Sequence, residues 1–260
     1  MQIVILEIYG IFLKQKIEIL NTYIDNLSLE EALQKVDSGI VVTPNIHHLV
    51  QLQNDSQLQD AYSKASFRLC DSQIIYFILK ILGEPIKAKL SGSDLFPRFI
   101  EKYSSSNCDS IFLFGSSNAV LESAQKLVNE KFKRKVIAGC FSPSYKDVFD
   151  KKEIKDFAFK INSSSATVLI LALTGGKQEK LAVQLLPLLD SVRLILCFGA
   201  GVDFYIGAEK RAPKLISKIG LEWLWRIYQL QNRILFRYLN DLVFFRYFIL
   251  WILKRNKNTL

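Results

Sequence analysis

The feature that most constrains the fold is a regular alternation of short apolar runs with longer helical segments. The apolar runs cover residues 110–114, 135–140, 167–173 and 192–198. The helical segments between them cover residues 118–132, 151–162 and 177–189. Strands that alternate with helices of this length predict a Rossmann-like α/β fold, a mostly parallel sheet with helices on both faces. Half of the 260 residues are hydrophobic, which is enough to bury a sizeable core.

Two further strands precede this pattern, at residues 39–42 and 67–70, and a polar helical segment over residues 46–64 joins them. Strands joined by a helix are expected to be parallel, so that their polar ends share one edge of the sheet. The first strand leads into Thr43 and Asn45, and the second ends on Asp71. Ligands bind at this edge in α/β proteins because loops and helix N-termini meet there.

These three side chains allow two interpretations. A carboxylate that faces a hydroxyl and an amide across a cleft can act as a general base. Alternatively, Thr43 and Asn45 cap one helix and Asp71 caps the next one. The sequence leaves both interpretations open.

Two other strand ends carry small residues. Gly115-Ser116-Ser117 opens a helix like a phosphate-binding turn, but it lacks the full G-x-G-x-x-G, and a tight connection explains it equally well. The segment 174–179 combines two glycines, a cation and an amide, which suits a nucleotide or a sugar. No D-x-D occurs, so we expect no carboxylate-held divalent ion and no cofactor.

The four cysteines are far apart and form no C-x-x-C, which is typical of small core residues in a reducing compartment. The only histidines, His47 and His48, are neighbours on a predicted helix and point in different directions, so zinc is not expected. Residues 1–13 are apolar but lack a basic start, and they are predicted to form edge strands that continue through residues 16–24.

The composition changes in the last fifth of the chain. Residues 208–260 hold eleven Lys or Arg against three acids, and so carry nearly all of the net charge of +9. Aromatic and aliphatic side chains separate the cations. Residues 242–253 contain one charge, Arg246, but twelve residues are too few to span a bilayer. We divide the chain into an α/β domain at 1–207 and a basic amphipathic helical appendage at 208–260.

Three kinds of partner could bind this appendage. Cations mixed with Trp, Phe and Leu on helices suit interfacial binding to anionic lipid. Nucleic acid is the competing partner for a basic patch. The many apolar side chains beside the charges favour lipid, so no nucleic-acid partner is expected. A buried dimerisation helix, and with it a homo-oligomer, is the third option.

Three arginines of the appendage fall on one side of a single continuous helix. Arg226, Arg233 and Arg237 lie within roughly 40° of one another at 100° per residue. An aligned guanidinium row could bind a diphosphate in place of a metal. A solvated basic stripe is the alternative.

Eight segments, in this order, resemble one family. They are Asp25-Asn26-Leu27-Ser28-Leu29-Glu30-Glu31-Ala32, Thr43-Pro44-Asn45, Cys70-Asp71-Ser72, Leu90-Ser91-Gly92-Ser93-Asp94-Leu95, Thr174-Gly175-Gly176-Lys177-Gln178-Glu179, Gly199-Ala200-Gly201-Val202-Asp203-Phe204, Lys210-Arg211-Ala212-Pro213 and Gly220-Leu221-Glu222-Trp223-Leu224-Trp225-Arg226. Over residues 25–238 the chain resembles the WecG/TagA/CpsF family of bacterial glycosyltransferases.

The resemblance implies transfer of a hexose or N-acetylhexosamine, such as N-acetylmannosamine, from a UDP-sugar to a polyprenyl-diphosphate-linked sugar. It implies inversion, no metal, and a peripheral location at the cytoplasmic face of the bacterial membrane. The products are teichoic acids or other cell-surface polysaccharides. A non-catalytic, membrane-associated assembly protein that retains the fold is the alternative.

Beside the resemblance we set a hypothesis for the roles of particular residues. Asp71 deprotonates the acceptor hydroxyl, and Thr43 and Asn45 hold the reacting sugars. Substrate contacts are assigned to Lys89, Ser91, Asp94, Gly115, Lys177, Gln178, Glu179, Asp203, Arg211, Arg226, Arg233 and Arg237. Gln178 contacts the donor, and the arginines neutralise the departing UDP.

The chain departs from the family pattern at three positions. Ser72 stands where a glycine is usual, Gly176 where a proline is usual, and Lys89 where an arginine is common. These positions flank the predicted pocket, so the transferred sugar stays open.

Overall fold

A computed structural model describes residues 15–106, 108–213, 215–216, 219–230 and 232–257, without the side chains at 229–230, 232–234 and 256–257. The edge strands predicted at residues 1–13 lie outside this range. The strands are β1 Lys16–Ile19, β2 Thr22–Asp25, β3 Gly39–Val42, β4 Phe67–Arg68, β5 Ile111–Gly115, β6 Ile137–Phe141, β7 Val168–Ala172 and β8 Leu194–Cys197.

Twelve helices are given labels. They are α1 Leu29–Lys35, α2 Ile46–Gln51, α3 Ser56–Lys64, α4 Gln73–Ile81, α5 Gly92–Ser104, α6 Asn118–Phe132, α7 Lys151–Asn162, α8 Lys177–Leu185, α9 Gly201–Ile206, α10 Glu222–Leu230, α11 Asn232–Asp241 and α12 Val243–Lys257. A 3₁₀ turn at Leu186–Leu188 ends the segment that the sequence predicts as one helix to residue 189. Pro187 explains this change, because proline cannot continue the helical hydrogen bonds.

The predicted parallel sheet is confirmed. Six strands pair in parallel in the order β4-β3-β8-β7-β5-β6. Alternate side chains of each strand point to opposite faces, and each face has its own buried cluster. Helices α2, α3, α4, α7 and α8 pack on one face, and α1, α5, α6 and α9 pack on the other. This is the Rossmann-like arrangement with helices on both faces.

The antiparallel hairpin β1–β2 lies beside the edge strand β4. The Asp25 carboxylate accepts a hydrogen bond of 2.7 Å from the backbone N–H of Arg68. The Arg68 guanidinium lies 4.1 Å from the centre of the Tyr23 ring. The hairpin thus covers an edge that would otherwise expose unpaired backbone groups, and it holds the strand that leads to Asp71.

Two segments that the sequence predicts as single helices are each divided into two helices. The segment 46–64 is two helices. The first ends at Gln51, and the Asp55 side chain caps the start of α3 by accepting a 3.0 Å hydrogen bond from Leu58 N. The appendage also does not form one helix through its arginines. The rings of Trp223 and Tyr238 are 5.9 Å apart, whereas fifteen residues of one helix would separate them by about 22 Å. Helices α10 and α11 therefore form a hairpin.

The last part of the appendage is held against the α/β domain by both apolar and polar contacts. Phe244 of α12 is fully buried in the core cluster on the α4 face. His47 Nδ1 lies 2.8 Å from the Asp241 carboxylate, and Arg255 lies 2.5 Å from the Glu84 carboxylate. Across the described residues, no helix combines the length and the hydropathy needed to cross a membrane. The boundary between residues 207 and 208 stays a prediction.

The cysteines carry no disulfide. Cys70 and Cys197 are buried, and Cys140 is partly buried. The core assignment is wrong for Cys108, which is exposed because it lies in the connection before β5 rather than in the strand.

Candidate active site at the carboxyl edge of the sheet

Asp71 follows the edge strand β4, and its backbone N–H donates to the Pro44 carbonyl at 3.0 Å. That bond ties the carboxyl ends of β3 and β4 together. The N-cap of α4 is Ser72, whose hydroxyl accepts from Ile75 N at 3.3 Å. The capping interpretation is therefore wrong for Asp71. Within the described part of the chain, no hydrogen bond reaches its carboxylate.

The pKa of Asp71 is shifted strongly upward. The side chain is partly exposed, but the protein packed around the carboxyl group raises its pKa from 3.8 to about 7. The positive charges of Lys89 and Arg226 oppose this increase, whereas Glu222 and Asp94 add to it. A carboxylate with a pKa near neutrality is suited to accept a proton in a reaction at neutral pH.

Thr43 and Asn45 follow β3 on the neighbouring strand. The Thr43 hydroxyl is buried and donates to the Cys197 carbonyl at 3.1 Å, which links β3 to β8. The Asn45 side chain accepts from His48 N at 3.2 Å and caps α2. The capping interpretation is confirmed for Asn45 and wrong for Thr43. Their contacts with sugars stay predictions.

A second group of predicted residues lies beside Asp71. Ser91 caps α5 and donates to the Asp94 carboxylate at 2.5 Å. Lys89 and Arg211 lie 3.4 Å and 2.7 Å from the same carboxylate. Burial acts to raise the pKa of Asp94, but these hydrogen bonds and charges outweigh it and hold the pKa below its usual value. The structure therefore brings Lys89, Ser91, Asp94 and Arg211 together with Asp71.

Two appendage arginines lie on separate helices, Arg226 near Asp71 and Arg237 near His48. The Arg226 guanidinium lies 5.1 Å from the centre of the Phe204 ring, and that of Arg237 lies 5.1 Å from the Tyr238 ring. The Nε atoms of both arginines are buried without a hydrogen-bond partner in the described residues. The predicted single row of three arginines is wrong, since α10 and α11 are separate helices. The Arg233 side chain lies outside the described residues.

Gln178 and Glu179 are almost completely buried beneath the turns after β7 and β8. Glu179 accepts from Gly176 N at 2.7 Å and from Gln178 Nε2 at 2.9 Å. The Gln178 oxygen accepts from Gly199 N at 3.0 Å. The Nε2 atom of His48 lies 3.5 Å from the Glu179 carboxylate. The sequence did not place His48 at this site. In this structure these side chains hold the two turns in place, and donor contact by Gln178 stays a prediction.

The turn after β5 is a tight connection. Gly115 has φ +111°, and a Cβ atom there would lie 2.5 Å from the Ala172 carbonyl oxygen of β7. Close strand packing therefore explains this glycine. The next residue, Ser116, donates to the Asp203 carboxylate at 2.7 Å. Burial raises the pKa of Asp203, and the bond from Ser116 partly offsets this increase. Substrate contacts by Gly115 and Asp203 stay predictions.

A cavity of about 270 Å³ opens at the carboxyl ends of β5, β6 and β7. It is lined by Ser116, Pro143, Ser144, Tyr145, Lys146, Phe149, Ala172, Leu173, Thr174 and Lys177. The helices after β5 and β7 leave to opposite faces of the sheet, and such a divergence creates a ligand-binding crevice. Lys177 lies 2.7 Å from Asp147 and 4.4 Å from the centre of the Tyr145 ring.

A larger, shallower depression of about 380 Å³ lies between α1 and α5, and it contains no predicted site residue. Among the residues that the structure describes, no three His, Cys, Asp or Glu side chains converge as a metal-binding group. Asp71 with its surrounding cations, and the cavity, are the two candidate features of the carboxyl edge.

Known proteins match most of the chain. The model of the "Glycosyl transferase WecG/TagA/CpsF family" matches residues 17–259. A relative from Bacillus spizizenii, strain ATCC 23059 / NRRL B-14472 / W23, is 26% identical over 195 residues, which are 75% of this chain and 73% of the relative. That relative is named N-acetylglucosaminyldiphosphoundecaprenol N-acetyl-beta-D-mannosaminyltransferase. The chain is a glycosyltransferase that belongs to the WecG/TagA/CpsF family.

Proposed function

We propose that this enzyme transfers N-acetylmannosamine from its UDP derivative to N-acetylglucosamine linked to undecaprenyl diphosphate, with inversion and without a metal. The name of the Bacillus relative supports this pair of sugars and this lipid. The observation that carries the chemistry is the Asp71 carboxylate, which has a pKa of about 7 and lies beside Lys89 and Arg226. The product enters teichoic acid or a related cell-surface polysaccharide.

Asp71 acts as the general base. As the acceptor hydroxyl oxygen attacks the anomeric carbon of the donor, its proton passes to the Asp71 carboxylate. The bond between the anomeric carbon and the diphosphate oxygen breaks, and UDP leaves with the electron pair. A single displacement of this kind inverts the anomeric configuration. Thr43 and Asn45, at the end of the adjacent strand, orient the two sugars.

The appendage supplies the positive charge that the leaving group requires. The Nε atoms of Arg226 and Arg237 are buried without a hydrogen-bond partner in the described residues, and the guanidinium groups that carry them supply the charge and the donors that diphosphate oxygens bind. Arg211 is oriented by its 2.7 Å bond to Asp94, and Arg233 belongs to the same helix as Arg237. These guanidinium groups stabilise charge that develops as UDP departs, and so replace a divalent ion.

The cavity at β5, β6 and β7 is the proposed nucleoside site. Four strand spacings separate β4 from β5 in the sheet order, which is about 19 Å. An extended nucleotide sugar is of comparable length. The uridine therefore occupies the cavity near Ser116 and Lys177, and the sugar reaches across β8 and β3 toward Asp71.

The appendage holds the enzyme at the cytoplasmic face of the membrane as a peripheral protein. Its cations attract anionic lipid headgroups, and its exposed apolar side chains enter the interface. The acceptor lipid then presents its sugar to the cleft from the same surface.

The decisive experiment measures UDP release by the purified full chain. UDP-N-acetylmannosamine, UDP-N-acetylglucosamine and UDP-glucose are each supplied with and without a short-chain diphosphate-linked N-acetylglucosamine acceptor. We expect acceptor-dependent release that is fastest with UDP-N-acetylmannosamine, and a product of inverted anomeric configuration by NMR. No acceptor-dependent release with any donor would instead indicate a non-catalytic assembly protein.

A further inference from the structure

Helix α4 of the α/β domain is apolar on its outer side as well as its inner side. Ile75 and Leu79 point inward and are fully buried. Ile74, Phe77 and Ile81 recur at spacings of three and four residues and share the outer face. Ile81 is 84% exposed. A surface helix of a water-soluble domain normally carries polar residues on this side. We therefore expect another surface to cover the outer face of α4.

Two segments of the appendage flank this outer face. A Cβ atom at Gly220 would lie 3.6 Å from the Ile74 side chain, so the segment before α10 packs against the start of α4. Arg255 near the end of α12 pairs with Glu84, which follows α4. Both segments expose apolar side chains of their own. These are Leu215, Ile219, Leu221 and Leu224 before and within α10, and Ile249, Leu250 and Leu253 on α12.

The charges around this surface favour an anionic partner. Neither α4 nor α12 contains an acidic residue. Lys80 on α4 and Arg246 and Lys254 on α12 are exposed. A second copy of the chain would bring these like charges together, whereas an anionic lipid surface complements them. Exposed apolar side chains among cations are the composition of interfacial membrane contacts.

We propose that α4, a helix of the α/β domain itself, forms the lipid-facing surface together with the appendage, with Phe77 and Ile81 entering the interface. Asp71 directly precedes α4, whose nine residues span about 14 Å. The contact would therefore fix the height of Asp71 above the bilayer. This last point rests on the proposed function, while the membrane contact does not.

The first test is flotation of the full chain with vesicles of phosphatidylcholine that contain or lack phosphatidylglycerol, without substrates. The double variant Phe77→Ser/Ile81→Ser should partition about tenfold more weakly to the anionic vesicles, because it removes two apolar side chains from the interface. Phe159→Ser is the matched control, since Phe159 is 74% exposed on α7. That control should bind like the unaltered protein. Unchanged binding of the double variant would overturn the proposal.

The second test reports the position of α4 directly. Ile81→Cys in a Cys108→Ser background, which removes the exposed native thiol, is labelled with an environment-sensitive dye. We expect a blue shift on adding anionic vesicles. A label that stays in a water-like environment while the protein is vesicle-bound would overturn the proposal. So would a change in oligomeric state of the double variant without vesicles, because it would identify a second copy as the partner.

The double variant should retain UDP release with the short-chain acceptor, which needs no bilayer. If the unaltered protein lacks acceptor-dependent UDP release, the proposed function fails. The vesicle measurements would still decide the membrane contact of α4.

Discussion

Two carboxylates at the carboxyl edge of the sheet differ sharply in their surroundings. Glu179, after β7, is fully buried, and its oxygens accept hydrogen bonds from Gly176 N and Gln178 Nε2. Asp71, after β4, is partly exposed and accepts none within the described residues, and its pKa is raised to about 7. Hydrogen bonds from protein donors stabilise a carboxylate in a structural role. A carboxylate without them stays available to take a proton, so the neighbours of each acid indicate its role.

The largest expected effect is on turnover in Asp71→Asn. The amide keeps the shape of the side chain but cannot accept the proton, so turnover should fall by about two to four orders of magnitude. Donor binding, measured by calorimetry with UDP, should be retained. Asp60→Asn is the control, because Asp60 is an exposed carboxylate that pairs with Lys64 on α3. Near-normal turnover in Asp71→Asn would remove Asp71 from the reaction.

Glu179→Gln should act mainly on stability. Both oxygens of Glu179 face donors, so the amide NH₂ must oppose either Gly176 N–H or the Gln178 amide. Leaving a buried donor unpaired costs about 1–3 kcal/mol of the free energy of unfolding, measurable by denaturant titration. The matched control is Glu153→Gln, which removes the same capping-box carboxylate from the more exposed helix α7. That control should lose less. An equal loss in both variants would contradict the role of burial.

Asp71→Asn should also change the pH dependence of stability. The folded protein binds the Asp71 proton more tightly than the unfolded chain, because the pKa rises from 3.8 to about 7. This contribution to stability is present at low pH and is lost as the pH rises through about 7. Asparagine carries no charge at either pH. The variant should therefore gain thermal stability relative to the unaltered protein at pH 8, and the gain should shrink toward pH 5.

Differential scanning fluorimetry at the two pH values checks this expectation. An equal or lower melting temperature of Asp71→Asn at pH 8 would mean that the charged carboxylate is not destabilising in the fold.

Sequence predicted the edge at which the candidate site lies, because strand–helix–strand connectivity alone puts Thr43, Asn45 and Asp71 at parallel strand ends. It could not decide which acid is free. Asp71 and Ser72 are adjacent, and either side chain can cap a helix. Only the fold shows that Ser72 takes this role. Local pattern likewise does not show that His48, distant in the sequence, lies against Gly175 and 3.5 Å from the buried Glu179.

The appendage was harder to predict for a related reason. No proline interrupts residues 222–241, so periodicity favours one helix with its arginines aligned. The hairpin is favoured by tertiary contacts, such as that between Trp223 and Tyr238, and by the anchoring of Asp241 on His47. Local pattern carries no information about these contacts.

The smallest expected effect is that of a chelator. A divalent ion that bridges a nucleotide diphosphate needs carboxylates placed together. Glu179 is occupied by backbone and amide donors. Asp94 and Glu222 lie near Asp71 together with Lys89 and Arg226, but these acids do not converge as a metal-binding group in the described residues. UDP release should therefore continue at an unchanged rate in excess EDTA, and added magnesium should not raise it. Arg226→Ala supplies the contrast, because it should slow release in the same buffer without chelator. Loss of activity in EDTA that magnesium or manganese restores would assign the diphosphate to a metal rather than to the arginines.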